Sequence, residues 1–578
     1  MSLSSALEPR PALSRALLWA LGVFLFGLLA LLLGDLWALA VHTNFAIDEF
    51  GYAHAAYAIA HGQVPYRDFY EIHFPLNYEL LSLLFRFGAE KPSAILDMRL
   101  VMLGWAALTL FSSWLLCLRY GALRALLAPI SILVVVPLWL YAYEIRHDPV
   151  GLALLLLALG LRELPGHPRL TSALAGAAWV LCLWSTQKAL MFAGTVLVPA
   201  LALDLWHKQS GDRAFVLVDP RAWFSGAGAV AAAIVVWLVA TRNVGSFIFY
   251  CFAQAGHYQE HYARVSLTEQ LLPMLNDAAM VLPLVVAGVW GTARGLTRLD
   301  VSVATGRDVL LLGALASTFC SYALTQFPFP YAAVPFWGLF GLIAARGVLE
   351  LWAKPGLVTT VPRQAALVMT LVLLAFVATR AHSLYRTRTK SSNALQLSVL
   401  EQVDKLTASD DAFFDSGGYF VARPHSYYYF YIDAILRNEI PDLANEAQRA
   451  IVRAEAIGVI PDIRYGGLPL ALRSFIESHY QKYSGDLWLY GQSYDASSAR
   501  GSLPFLAIKS GRYFVNGAAG EVMVDGRPVG TSDFLLTRGM HQIELAHAAG
   551  VVQVLWLPKN GEHWRPRPEK PAAFLNIF

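Results

Sequence analysis

The chain is poor in cysteine, in charge and in repeats, and each scarcity closes off a class of protein. Only four cysteines occur in 578 residues: Cys117, Cys182, Cys251 and Cys320, all in or beside apolar segments. None has metal-ligand spacing, which argues against a disulfide framework or a zinc knuckle. Charged residues make up 15% of the chain against 56% hydrophobic ones, and mean hydropathy is positive, the balance of a polytopic membrane protein. A net charge of +3 is too small to imply a nucleic-acid partner. No small-residue cleavage site ends the apolar run that follows Arg10 and Arg15, so that run reads as a retained first span. No internal repeat, low-complexity tract or phosphate-loop spacing is evident.

What the chain does have is a succession of apolar segments, each near the length of about 20 residues that a bilayer requires. They fall at roughly 16–41, 94–117, 122–143, 149–162, 171–187, 189–206, 222–241, 272–293, 308–326, 329–348 and 364–380, about eleven spans. Loops assigned to one side carry most of the basic residues, among them Arg119, Arg124, Arg162, Arg169, Lys208 and Arg221, so that side and the N-terminus are expected to be cytoplasmic. An odd number of spans puts everything after Arg380 outside, in the periplasm of a Gram-negative bacterium. The cluster Arg380, Arg386, Arg388 and Lys390 at that outer boundary runs against the rule, although a long C-terminal domain can be translocated despite flanking charge.

Beyond residue 380 charge rises and Gly and Pro punctuate the chain. Leu395–Leu406 and Ile440–Ala456 read as helices, with Ala412–Phe414 and Val459–Ile463 as short strands, a small α/β unit. From about 485 the pattern is strand and turn, and Asp525-Gly526 between alternating runs predicts a hairpin. The expected division is 1–380 for the membrane part, with an outer loop at 42–93, then 381–484 for the α/β segment and 485–578 for a β-rich unit.

The chemistry concentrates where the first span ends. Asp48 and Glu49 are adjacent carboxylates at a membrane exit, which is costly unless they meet water, a cation or a polar substrate. The spacing of Tyr52, Ala56, Tyr57 and Ile59 predicts a helix lying in the interface, for which Asp48 would also serve as N-cap. A second group, Glu144-Ile145-Arg146-His147-Asp148-Pro149, lies at the outer end of the third span, where Asp148 would cap a helix begun by Pro149. The topology puts both acidic loops on one membrane face, able to hold a cation or share acid–base work.

The order of these features resembles a known family. A first span, Asp48-Glu49, then Gly62-Gln63-Val64-Pro65-Tyr66-Arg67-Asp68-Phe69 and His73-Phe74-Pro75-Leu76, then a third span ending in Arg146-His147-Asp148, looks like the GT-C superfamily of integral membrane glycosyltransferases, in its protein mannosyltransferase and lipid A aminoarabinose transferase-like branch. The resemblance covers about residues 15–380; it departs from the commoner Arg-Pro-Asp at His147. It implies a polytopic α-helical membrane protein with a C-terminal extracytoplasmic α/β plus β-sandwich-like soluble domain. It also implies a sugar taken from a polyprenyl-phosphate donor and moved to lipid A, a surface glycan or a protein outside the cytoplasmic (inner) membrane. By that resemblance Asp48 is the general base, Glu49 orients the acceptor or a neighbouring residue, and Asp148 positions or stabilises charge.

A phosphate leaving group needs donors or cations as its charge grows. Lys188 in a predicted outer loop is one candidate; Arg67, His73 and Arg146, and Arg242, His257, His261 and Arg264 in the loop 242–271, are others. Tyr331, after Phe329-Pro330, is expected to line the cavity. Interfacial snorkelling and an aromatic belt account for several of the same residues. A divalent cation, magnesium or manganese, is compatible with two separated carboxylates and not required by them. The rival class is a transporter or flippase of a lipid-linked sugar, which usually places charges near mid-bilayer and shows repeats.

Overall fold

A computed structural model describes residues 15–578 except 89, 165, 210–218, 261–265, 267, 270–302, 325–328, 354–362, 497–500, 518, 531, 568 and 575–578. Helix α1, Arg15–His42, is apolar between its ends except for Asp35, and at 1.5 Å per residue its 28 residues reach about 40 Å, more than a bilayer core requires. It leads through a short extended turn into α2, Ile47–Ala60. Then come α3, Leu76–Arg86, and α4, Ala94–Cys117. Among the described residues four helices are long and apolar enough to cross a membrane: Trp19–His42, Ala94–Tyr120, Pro220–Ala240 and Pro330–Glu350.

Of the other expected spans, 308–326 and 364–380 fall in single helices, Val303–Leu324 and Arg363–Arg388, and several more are shorter or broken. The run 122–143 becomes three pieces, Ala122–Ala125, Leu127–Leu133 and Val136–Ala142, with Pro137 at the start of the third. The run 189–206 divides into Gln187–Phe192 and Gly194–Gln209, and 272–293 lies outside the described residues. Two charged groups of the helical part pair across the chain, as a low-dielectric surrounding favours. Asp35 of α1 pairs with His382 of Arg363–Arg388 at 2.7 Å, and Arg119 pairs with Glu350 at 3.1 Å. Gly176 and Gly226 each face a carbonyl of the opposite helix so closely that a Cβ would collide, so Pro168–Leu183 and Pro220–Ala240 meet backbone to backbone.

The helix expected to lie in the membrane interface presents no open apolar face. Nearly every residue of α2 from Ile47 to Ile59 is buried. The reason is the C-terminal part, which covers it. The main chain of Tyr70 donates to the Tyr428 carbonyl at 3.0 Å, and the Gln396 amide pairs with both backbone groups of Phe45 at 2.8 and 3.1 Å.

Among the described residues, that C-terminal part contains eleven strands in two sheets. They are β1 Phe413–Phe414, β2 Gly458–Val459, β3 Tyr480–Lys482, β4 Trp488–Asp495, β5 Ser502–Ala507, β6 Gly511–Asn516, β7 Ala519–Val524, β8 Arg527–Pro528, β9 Phe534–Leu536, β10 Gly539–Ala549 and β11 Val551–Trp556. One sheet runs β1-β2-β4-β11-β6-β9 with β3 beside β4; the other runs β5-β10-β7-β8. The α/β strands β1 and β2, which are parallel, therefore continue through β4 into the sheet of the β-rich segment. The hairpin signal is met: Asp525 and Gly526, at φ of 51° and 72°, turn β7 into β8 with Val524 opposite Arg527.

Candidate active site

The adjacent carboxylates of α2 point in different directions, because neighbours on a helix are about 100° apart. Neither Asp48 nor Asp148 is a cap: the N-cap of α2 is Ala46, and that of His147–Gly160 is Arg146. Glu49, at the third helical position, reaches back to the Ala46 amide at 2.9 Å. Its carboxylate also takes two bonds from Arg99 of α4, at 2.8 and 2.6 Å, and one from the Ile145 amide at 3.1 Å. Arg99 in turn donates to the carbonyls of Ala40, Thr43 and Asn44, satisfying the orphan groups where α1 ends. Side-chain exposure is 0% for Glu49 and 1% for Arg99, so this pair is sealed from solvent and ties α1, α2 and α4 together.

Asp48 faces the other way. Oδ2 accepts from Arg146 Nη1 at 2.8 Å and Oδ1 from the Tyr431 hydroxyl at 2.8 Å, and the side chain keeps 18% exposure. Burial works against its ionisation, but the Arg146 charge and both hydrogen bonds outweigh it and hold the carboxyl below its usual range. Arg146 also donates from Nε to Glu144 at 2.5 Å and lies over the Tyr331 ring, 3.9 Å from its centroid. The same ring carries Lys188 at 5.0 Å, and Lys188 pairs with both oxygens of Asp148 at 3.1 Å. Tyr331 thus joins two ion pairs, Asp48–Arg146 and Asp148–Lys188. Lys188, a third exposed, is the more accessible of the two cations.

His73 belongs to the rim of this cluster: it takes up a bond to Glu71 at 2.7 Å and stacks on His147 with centroids 5.2 Å apart. His147 is buried with neither ring nitrogen partnered, and burial pushes it well below the ordinary histidine range, so it is neutral. The remaining candidates stand elsewhere. Arg67 pairs with Asp68 and bonds to the Thr241 carbonyl at 3.1 Å. Arg242 is exposed, in a left-handed conformation beyond the helix Pro220–Ala240. His257 pairs with Glu439 of the C-terminal part at 2.9 Å. His261 and Arg264 lie outside the described residues.

Three members of the cluster escaped the sequence reading: Arg99, Tyr431 and Arg464, whose guanidinium sits 3.9 Å over Tyr431; Glu144 was seen in its acidic group but given no role of its own. A lone arginine inside the apolar run 94–117 was a usable signal for Arg99, since such a charge needs a partner. The run Tyr427-Tyr428-Tyr429-Phe430-Tyr431 was another, too aromatic for a solvated loop.

The residues present do not suit a resident divalent cation. Asp48 and Asp148 each already hold a basic side chain, and among the described residues no group of three or more His, Cys, Asp or Glu gathers round a common point.

No protein-family model and no curated protein matches the sequence. Solved structures do. ArnT from Cupriavidus metallidurans in the apo state aligns with 82% of this chain and 98% of its own, at 14% identity and a TM-score of 0.54. The same protein bound to undecaprenyl phosphate aligns over 81% of this chain and 97% of its own, at 14% identity and a TM-score of 0.51. An oligosaccharyltransferase of Archaeoglobus fulgidus aligns less well, over 83% of this chain and 72% of its own, at 13% identity and a TM-score of 0.45. The fold that the order of motifs led us to expect is thus the fold found: this chain is similar in fold to ArnT over nearly all of that protein's length.

Proposed function

We propose that the chain is a membrane glycosyltransferase that moves a sugar from a polyprenyl-phosphate donor to an acceptor at the outer face of the cytoplasmic membrane. In this reading the C-terminal part lies outside the membrane and closes the site from above. The observation that carries it is the junction of Asp48–Arg146 and Asp148–Lys188 on the Tyr331 ring, capped by Tyr431, in a fold shared with a protein that binds undecaprenyl phosphate.

Asp48 is ionised and partly exposed, as a general base for an acceptor hydroxyl must be. The acceptor oxygen bonds to the anomeric carbon, its proton passes to Asp48, and the sugar–phosphate C–O bond breaks with its electron pair leaving on the lipid phosphate. A displacement of that kind inverts the anomeric centre. Lys188 meets the phosphate, exchanging part of its contact with Asp148 for the incoming charge. Arg146 is engaged by two carboxylates and serves to hold Asp48 in place. The acceptor class, lipid A, glycan or protein, is set by what enters between α2 and the C-terminal part.

The test uses purified protein in nanodiscs with a panel of polyprenyl-phosphate sugars and candidate acceptors, reading released lipid phosphate and glycosylated product by mass spectrometry. Product that disappears in Asp48→Asn supports the proposal. Bound donor without turnover, in a folded protein, would favour the carrier reading instead.

A further inference from the structure

We infer that the β-rich segment carries a saccharide-binding site of its own, distinct from the transfer site. A cavity of about 650 Å³ opens between the two sheets, in the size range of small-molecule sites. One wall is the end of β6, Phe514 to Asn516, with Gly517; the other is Glu521 and Val522 of β7 with Pro528 to Gly530; the segment His563–Arg565 closes it.

The lining combines flat aromatic surface with hydrogen-bonding groups that the protein leaves unused. His563 stacks on Phe514, with ring centroids 4.5 Å apart and planes 7° from parallel, and is itself exposed. Phe514 is 2% exposed and Trp564 4%, its Nε1 donating to the Trp556 carbonyl at 3.0 Å, so both form a fixed floor. Asn516 lines the cavity and gives its amide N–H to Gln553 at 2.8 Å, which fixes the side chain. Glu521 and Arg565 line the cavity, are exposed and show no ion pair or hydrogen bond. An amide, an anion and a five-donor cation beside an aromatic plane suit a sugar, whose ring carries an apolar C–H face and a rim of hydroxyls.

Other ligand classes fit less well. A lipid chain would strand Glu521, Arg565 and Asn516 without water. A peptide adding as a strand needs a free edge, but β6 is paired on both sides by β11 and β9, and β7 by β10 and β8. A polyanion would meet a single lining cation, Arg565, opposed by Glu521. A short oligosaccharide is the ligand that uses what is there.

The experiment takes the full-length protein in nanodiscs and measures saturation-transfer NMR and titrations with chitotriose, maltotriose, mannotriose and trigalacturonic acid. At least one trisaccharide should bind, and His563→Ala and Arg565→Ala should each weaken it about tenfold or more. Both residues are exposed, so the variants should melt as the parent does. Asp48→Asn should leave this binding unchanged, which separates it from the transfer site whatever becomes of the transferase proposal. Absence of binding across the panel, or binding that survives both surface variants or is lost in Asp48→Asn, overturns the inference.

Discussion

Asp48 and Glu49 are consecutive residues of one helix, both next to an arginine, yet the two ion pairs differ in kind. Glu49 and Arg99 are sealed, with every polar atom committed to three helix termini. Asp48 and Arg146 stand at the edge of a cluster that stays partly open and touches a second pair through Tyr331. One hundred degrees of helical rotation separates a residue that builds the site from a residue that faces it. A pair of adjacent acids is therefore not a catalytic dyad by default; burial on one side can turn one of them into framework.

Substitution should separate the two roles. Glu49→Gln leaves Arg99 as an uncompensated buried charge, a loss of about 3–5 kcal/mol, and should reduce folded protein and activity together, read by size-exclusion yield and melting. Asp48→Asn should cut transfer at least about a hundredfold while melting within about 1 kcal/mol of the parent. If the two variants behaved alike, the distinction drawn here would fail. Replacing both members of the sealed pair, Glu49→Leu with Arg99→Met, should recover part of the stability lost in Glu49→Gln, since a buried ion pair is often replaceable by apolar packing. Lys188→Ala should come next in size, raising the donor KM about tenfold with a smaller change in kcat, measured at saturating acceptor.

The comparison also shows what a sequence can and cannot disclose. Asp48, Asp148, Lys188 and Tyr331 were legible because each sits at the end of an apolar run or in an outer loop, and topology alone brings those ends to one face. The long spans 16–41 and 94–117 and the Asp525-Gly526 hairpin were legible for the same local reasons. The burial of α2 was not. Its Tyr/Ala pattern suits an interfacial helix equally well, and only the distant residues Gln396, Tyr428 and Tyr431 decide otherwise. Tyr431 reaches Asp48 across 383 positions, a contact that no periodicity reports. The broken spans were missed because hydropathy continues smoothly across 122–143 while the helix does not.

The finest test lies in what surrounds Asp48. Tyr431→Phe removes a hydrogen bond that favours the charged carboxylate, so the acid limb of the rate–pH profile should move to higher pH with a few-fold loss of rate at neutrality. Glu144 is shifted the opposite way. Burial lifts its carboxyl to about 7, although Arg146 pulls the other way, while nearby Glu49 adds to the rise. The folded protein thus retains a proton that the unfolded chain releases near 4.5. That group's contribution to stability is full below 4.5 and is lost as pH climbs through about 7. Above that pH an ionised Glu144 also competes with Asp48 for Arg146. Glu144→Gln should accordingly flatten the decline of thermal-inactivation half-life between about pH 5 and 7.5, and should leave the acid limb in place, because Glu144 already carries its proton where Asp48 titrates. A limb that moves with Tyr431→Phe, which removes a bond to Asp48, and stays in place with Glu144→Gln would identify Asp48 as the titrating group.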